Sequence, residues 1–197
     1  SVEESQWSKY RDLAESSPNT IGADHWKREF MQKESIKDCL THLRDDDAVF
    51  IGDCDEVWHP DLLGATYLSF PMKLRLQVYT YFLNNRSSEE FWGTVLCRYG
   101  DIKGSVLNHL RSTDSLRTVN EVGWHFTSMG GFRAVKRKLE DSYTKESYAT
   151  DQVLDSLEEN VIQQKDFLGR EFKYWIDEGE WPQYLKDNRE KYAHLCK

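Results

Sequence analysis

Apolar positions along the chain predict strands and helices that follow one another as in an α/β protein. The short run Ala48 to Ile51 follows three aspartates and has β-branched and aromatic members, which favours a buried strand. A helical stripe from a predicted N-cap at Asp24 to Leu43 precedes this strand. Further strands are predicted over residues 74–83, 91–99 and 118–126, and the first two are expected to pair antiparallel around a turn at 84–88.

The second half of the chain has the spacing of helices. A short helix or turn is predicted over 106–111, a helix begins at Gly130-Gly131, and residues 153–162 form an amphipathic face. Pro182 stands where the first turn of a C-terminal helix tolerates it. We therefore expect a single α/β domain over residues 1–197 with a helical C-terminal tail.

Composition excludes several classes of function. The chain has 197 residues and a net charge of −8, which disfavours nucleic acid as a partner because phosphate binding needs a basic surface. No apolar run is long enough to span a membrane, so no transmembrane segment is expected. The four cysteines lack Cys-x-x-Cys spacing, which argues against zinc and for separate thiols in a reducing compartment.

Three acids follow the Ala48–Ile51 strand: Asp53, Asp55 and Glu56. Alternate residues of an extended chain point to the same side, so Asp53 and Asp55 are expected to direct two carboxylates to one site. Open α/β sheets bind ligands at the carboxyl ends of their strands, and paired carboxylates suit Mg²⁺ or Mn²⁺ bound together with phosphates. The alternative is that these acids form a turn or cap a helix.

A second candidate cluster runs from Gly123 to Gly131. His125 follows a predicted strand, and its imidazole can complete a coordination sphere begun by carboxylates. Gly130 and Gly131 would leave helix N-terminal amides for a phosphate. Trp124 can stack on a sugar or a base. The alternatives are that His125 and Trp124 pack in a core and that the glycines only form a turn.

Arg28 and Lys33 are predicted to lie on one helix, where they can counter the charge of a diphosphate. Because the two positions are five apart, they do not lie directly above one another. The alternative for both is a solvated helix face.

Together these segments resemble glycosyltransferase family 17, whose best-known member is the β-1,4-mannosyl-glycoprotein N-acetylglucosaminyltransferase, and bacterial and viral members are the more similar ones. The resemblance covers roughly residues 22–197 and rests on six segments: Trp26-Lys27-Arg28-Glu29-Phe30, Asp53-Cys54-Asp55-Glu56-Val57, Tyr81-Phe82-Leu83-Asn84, Trp92-Gly93-Thr94-Val95, Gly123-Trp124-His125-Phe126 with Gly130-Gly131, and Pro182-Gln183-Tyr184-Leu185 to His194-Leu195.

The resemblance implies a GT-A-like mixed sheet flanked by helices, with the N-terminal part of the usual fold missing. It implies a nucleotide-sugar donor, UDP-linked, a glycan acceptor and Mn²⁺ or Mg²⁺, with N-acetylglucosamine as one candidate sugar. It makes Asp53, Asp55 and His125 the metal ligands, and Trp26, Arg28, Lys33, Asp53 and Trp124 the donor-binding residues. The expected location is cytoplasmic for a bacterial or viral protein and the Golgi lumen for a eukaryotic catalytic fragment.

The expected reaction is transfer of a sugar with inversion, in which a carboxylate deprotonates the acceptor hydroxyl. Asp151 is the first candidate for this base and Glu56 the second. Two alternative functions stay open at this point. One is a metal-dependent phosphohydrolase that uses the same acids, and the other is a non-catalytic remnant that binds nucleotide or glycan.

Overall fold

The computed structural model describes residues 4–17, 24–64, 70–141, 148–177 and 179–197. The chain divides into two compact units. The first unit comprises Ser1–Ile51, Ser69–Lys73 and Val95–Arg117, and the second comprises Gly52–Leu68, Leu74–Thr94 and Thr118–Lys197. The secondary structure is α/β, as the sequence predicts.

The first unit combines helices with a pair of antiparallel strands. Helix α1 (Glu4–Ser16) packs on α2 (Asp24–Ser35), and α2 also contacts the short helix α4 (Leu107–Ser112). Strand β1 (Ala48–Ile51) pairs antiparallel with residues 95–98, the last four of the long strand β4 (Asn85–Arg98), and α3 (Tyr99–Ile102) follows directly. Their shared core contains Val49, Ile51, Val95, Cys97, Ile102 and Leu107.

The second unit is built on a mixed sheet. Strand β2 (Glu56–Trp58) pairs antiparallel with β6 (Gly123–Thr127), and β6 pairs parallel with β3 (Met72–Thr80). Strand β3 neighbours β4, and β7 (Tyr174–Ile176) pairs antiparallel with the start of β4. The short strand β5 (Arg117–Val119) precedes β6. The order β4-β3-β6-β2 places β2 at an edge of the sheet in this unit.

Helices cover the sheet of the second unit. Helices α5 (Gly131–Asp141) and α6 (Asp151–Ile162) pack together, and their apolar faces enclose Tyr81 after β3. Helices α7 (Gln183–Asp187) and α8 (Arg189–Tyr192) belong to the C-terminal segment, which packs on Tyr79 and Trp124. Short 3-10 helices lie at Ile36–Cys39, Pro60–Gly64 and Ala193–Leu195.

The prediction of a mixed sheet with flanking helices is confirmed, and so are β1, α4 and the start of α5. The helix predicted to reach Leu43 is wrong, because α2 ends at Ser35. The turn predicted at 84–88 is also wrong: β4 begins at Asn85, and the connection from β3 covers residues 81–84.

Asparagine side chains explain the misplaced turn. The amide of Asn85 donates to the carbonyl of Thr80 at 2.9 Å, and Asn84 exchanges two hydrogen bonds with the backbone of Lys197, at 3.2 and 2.9 Å. Both asparagines are fully buried. The turn signal in the sequence implied that these polar groups face water. In the structure they instead close a buried connection.

No helix within the described residues combines the length and apolar character that crossing a membrane requires.

Candidate active site

The acids after β1 lie in a tight turn. The amide of Glu56 donates to the carbonyl of Asp53 at 3.0 Å, so Asp53 to Glu56 form a reverse turn that leads into β2. The premise that Asp53 and Asp55 lie on an extended strand is wrong, because the chain bends at Cys54. Asp53 and Cys54 are exposed in this turn, and Asp55 is partly buried.

Asp55 and His125 are brought together by the pairing of β2 with β6. Glu56 lies opposite His125 in the register, and the amide of Phe126 donates to the carbonyl of Asp55 at 2.9 Å. Oδ2 of Asp55 consequently lies 3.5 Å from Nε2 of His125. Two side chains that the sequence selects from distant segments therefore form one carboxylate–imidazole pair.

His125 is held in place by a ring contact. Its imidazole stacks on the ring of Phe91, with ring centroids 3.8 Å apart and planes 26° from parallel. Nδ1 of His125 is buried and has no hydrogen-bond partner among the residues that the structure describes. Nε2 is the ring nitrogen that faces the Asp55 carboxylate, which can accept its proton, and a bound cation would take the place of that proton.

The Asp55 carboxylate is ionised at neutral pH. Burial acts to raise its pKa, but the contact with His125, the charge of that imidazole and the charge of Lys138 together lower the pKa below the ordinary aspartate value. The pair therefore offers one anionic oxygen ligand and one nitrogen ligand at close range.

Glu56 is buried between two glycines. Its carboxylate accepts a hydrogen bond from Oγ1 of Thr94, which also accepts one from the indole of Trp58 at 2.8 Å. A Cβ atom built on Gly52 would lie 2.8 Å from Oε2 of Glu56, and one on Gly93 would lie 2.6 Å from Oε1. Only glycine at these two positions leaves room for the carboxylate.

The remaining members of the second cluster face other partners. Trp124 is buried, its indole N–H donates to the carbonyl of Glu180, and its ring stacks on His59 at 5.7 Å. Gly130 and Gly131 both donate their amides to the carbonyl of Tyr81, at 2.9 and 3.1 Å. The expectation that these amides serve a phosphate is wrong, because the fold already uses them to fix the end of β3.

Two of the predicted donor-binding residues on α2 line a cavity of the first unit. Trp26 and Lys33 border about 340 Å³ of space next to Asn108. Lys33 forms an ion pair with Glu29, one turn earlier on the same helix. Arg28 is exposed and does not line this cavity, which favours the solvated-face alternative for that residue.

Asp151 is the first residue of α6 and is exposed. Oγ1 of Thr150 caps the helix by accepting from the amide of Val153 at 3.3 Å. An acid in the first turn is stabilised by the helix dipole, so Asp151 has a structural explanation of its own. Glu56 lies opposite His125 in the register, on the same face of the sheet.

Comparison of the chain with models of protein families, with curated proteins and with solved structures found no match. A functional assignment therefore depends on the geometry of the site and on the resemblance of its motifs.

Asp55 and His125 would supply only part of the coordination sphere of a divalent ion. In the part of the chain that is described, no group of three or more His, Cys, Asp and Glu side chains is placed to hold one ion. Asp55 and His125 supply two donors, and Mg²⁺ sites commonly use one or two protein ligands with water and substrate phosphates filling the rest.

Sequence reasoning assigned no structural role to the residues that hold His125 and Glu56. Phe91, Gly52 and Thr94 fix His125 and Glu56, yet none has a chemical signature of its own. A glycine followed by a hydroxyl residue inside an apolar strand, as at Gly93-Thr94, is the one signal that could have indicated a close approach.

Proposed function

We propose that the chain is a metal-dependent glycosyltransferase with a GT-A-like fold. It would transfer a sugar from a nucleotide-sugar, UDP-linked, to a glycan hydroxyl with inversion, and N-acetylglucosamine is the first candidate sugar. The observation that carries the proposal is the contact between Oδ2 of Asp55 and Nε2 of His125 at 3.5 Å.

This contact supports the proposal because it joins two of the six motifs on which the family resemblance rests. Asp55 belongs to the segment Asp53 to Val57, and His125 belongs to Gly123 to Phe126. An ionised carboxylate and an imidazole are suitable ligands for Mn²⁺. When bound, the ion would supply a Lewis acid that neutralises charge on a departing diphosphate.

The chain itself would contribute orientation and a base. Phe91 fixes the plane of the His125 ring, and the backbone bond from Phe126 fixes the Asp55 turn. Glu56 is the candidate base that the geometry favours, since it shares a face of the sheet with His125. Asp151, the first candidate from the sequence, becomes the second here, because it is exposed at the start of α6. Asp53 is exposed in the same turn as Asp55. It would bind the ion that contacts the donor phosphates.

The first experiment is a thermal-shift screen of UDP-, GDP- and dTDP-sugars with and without Mn²⁺. A bound donor stabilises the folded protein by mass action, so we expect the melting temperature to rise with one sugar nucleotide only when Mn²⁺ is present. Stabilisation by none of them, or equal stabilisation with and without Mn²⁺, would contradict the proposal.

Product analysis separates the proposed function from its two alternatives. A transferase forms a glycosylated acceptor whose amount matches the UDP released. A phosphohydrolase cleaves the donor phosphates equally well with or without an acceptor. A non-catalytic domain binds the donor in calorimetry and forms no product.

A further inference from the structure

Two adjoining cavities form a groove in the second unit. The larger has a volume of about 470 Å³ and the smaller about 200 Å³, and Gln77 and Glu121 line both. We call this surface the tryptophan groove and define it by Gln77, Arg86, Glu121, Trp124, Trp175 and Trp181.

The tryptophan groove lies on the face of the sheet opposite to His125. Gln77 is adjacent to Trp124 in the parallel register, whereas the next pair along the same strands is Val78 and His125. Successive residues of a strand point to opposite faces. At its other margin the larger cavity is lined by Val57 of the edge strand β2. The groove therefore reaches the strand that directly follows Asp55.

Charge in the groove disfavours a phosphorylated ligand. Its lining includes the acids Glu89, Glu90, Glu121 and Glu180. Two of its cations are engaged by carboxylates: Arg75 contacts Glu90 at 2.9 Å, and Arg86 contacts Asp177 at 3.0 Å. A nucleotide would meet repulsion here, and a neutral ligand would not.

Aromatic rings and buried polar atoms favour a ligand with both apolar faces and hydroxyl groups. Trp175 is exposed and lies under the guanidinium of Arg86, 5.5 Å from its ring centroid. Oε1 of Gln77 and Nε1 of Trp181 are buried and have no hydrogen-bond partner among the described residues. The first is an acceptor and the second a donor, and a hydroxyl group can satisfy both because it donates and accepts.

The backbone at Glu121 is held in a rare conformation beside these atoms. Its φ is +56°, in the left-handed region that non-glycine residues seldom adopt. Its carboxylate lies 3.9 Å from a guanidinium nitrogen of Arg75 and equally far from one of Arg86. Such strain is concentrated at ligand sites, where the surrounding contacts maintain it.

We propose that the tryptophan groove binds a neutral oligosaccharide, and that this is the non-reacting part of the acceptor glycan. The exposed indole of Trp175 matches the apolar face of a sugar ring, and the unpaired polar atoms of Gln77 and Trp181 match sugar hydroxyl groups. The assignment to an acceptor rests on the proposed glycosyltransferase function, whereas the match to a neutral oligosaccharide rests on the groove alone.

The test is calorimetric binding of mannotriose and of N,N′-diacetylchitobiose to the full chain, with UDP as the charged probe. We expect wild-type protein to bind at least one of the sugars without UDP or Mn²⁺, and we expect UDP, titrated separately, not to compete for the groove. Trp175→Ala should weaken that binding about tenfold, and Gln77→Ala should weaken it by a similar factor. The matched control is Tyr148→Ala, which removes an exposed aromatic residue outside the groove.

Each outcome bears on the groove separately from the proposed function. Weakened sugar binding in both groove variants, with the control unchanged and all melting temperatures retained, supports the groove. Absence of sugar binding by wild-type protein, or unchanged binding in Trp175→Ala, overturns it. Binding of a proline-rich peptide in place of either sugar also overturns it. If sugars bind in the groove but no metal-dependent UDP release occurs, the groove stands and the proposed function fails.

Discussion

Oδ2 of Asp55 lies 3.5 Å from Nε2 of His125, and a main-chain hydrogen bond joins the segments that carry the two side chains. The bond from the amide of Phe126 to the carbonyl of Asp55 anchors the turn to the strand that carries His125. A substitution of either side chain should therefore change the chemistry of the pair while the backbone around it persists.

We expect Asp55→Asn to lower metal-dependent UDP release at least about a hundredfold, because the amide replaces an anionic ligand with a neutral one. The melting temperature should change little, since Asp55 is partly exposed. Initial rates with saturating donor measure the effect. Asp155→Asn, an exposed aspartate on α6, is the control and should retain wild-type rates. Full turnover by Asp55→Asn would remove Asp55 from the metal site.

Replacement of His125 with glutamine should weaken Mn²⁺ binding about tenfold or more, because the imidazole nitrogen is lost while a polar side chain of similar length remains. Electron paramagnetic resonance of free Mn²⁺ measures this affinity without any need for turnover. Phe91→Leu removes the ring that stacks on His125 and should produce a smaller change in the same direction. Equal Mn²⁺ affinity in wild-type protein and the glutamine variant would show that His125 is not a ligand.

Gly93→Ala should destabilise the protein by about 2 kcal/mol, because the new methyl group overlaps the Glu56 carboxylate and the Phe91 ring. The same change should reduce activity if Glu56 is the base, since its carboxylate must move. Urea denaturation followed by circular dichroism measures the loss of stability. Gly64→Ala is the matched control, because a Cβ atom there meets nothing within 4 Å. Equal stability of the two variants would contradict the close packing around Glu56.

Acid should destabilise the second unit through Asp166. Burial acts to raise the pKa of this carboxyl, but hydrogen bonds and charge from Arg170 hold the pKa below the ordinary value. Because the folded pKa lies below the unfolded one, the stabilisation is fully present above the unfolded pKa, at about 3.9, and is lost as pH falls through the folded pKa.

Unfolding by urea between about pH 7 and pH 2.5 checks this direction. We expect Asp166→Asn to cost about 2 kcal/mol at neutral pH and to flatten the acid limb of the profile, because its charged bonds to Arg170 are gone. Asp155→Asn again serves as the control. An unchanged acid limb in Asp166→Asn would assign the acid sensitivity to other carboxylates.

Local patterns were sufficient for part of the fold. The Ala48–Ile51 strand and the helix after Gly130 follow from short-range hydrophobic spacing and backbone freedom. Strand β7 was missed because it is short and its residues at 175 and 176 are exposed. What makes it a strand is its pairing with residues 85–87, which no local pattern contains.

For the candidate site, too, local patterns predicted only a part, and long-range pairing decided the rest. Residue chemistry selected Asp55, His125 and Glu56, but the reason that they meet is the register of β2 with β6. Trp124 was assigned to the donor, with core packing as the alternative, and strand alternation places it on the face opposite to His125. The glycine amides at 130 and 131 were assigned to a ligand because their true acceptor, the carbonyl of Tyr81, is remote in sequence.

The turn from Asp53 to Glu56 carries an exposed thiol at Cys54, between the two acids. A maleimide fluorophore attached at that sulfur would test for binding of a cation or a sugar nucleotide at the proposed site. Cys39 is also exposed and Cys196 is partly exposed, so serine at both positions would confine the label to Cys54. The turn found in place of the predicted strand thus offers a labelling position beside the proposed site.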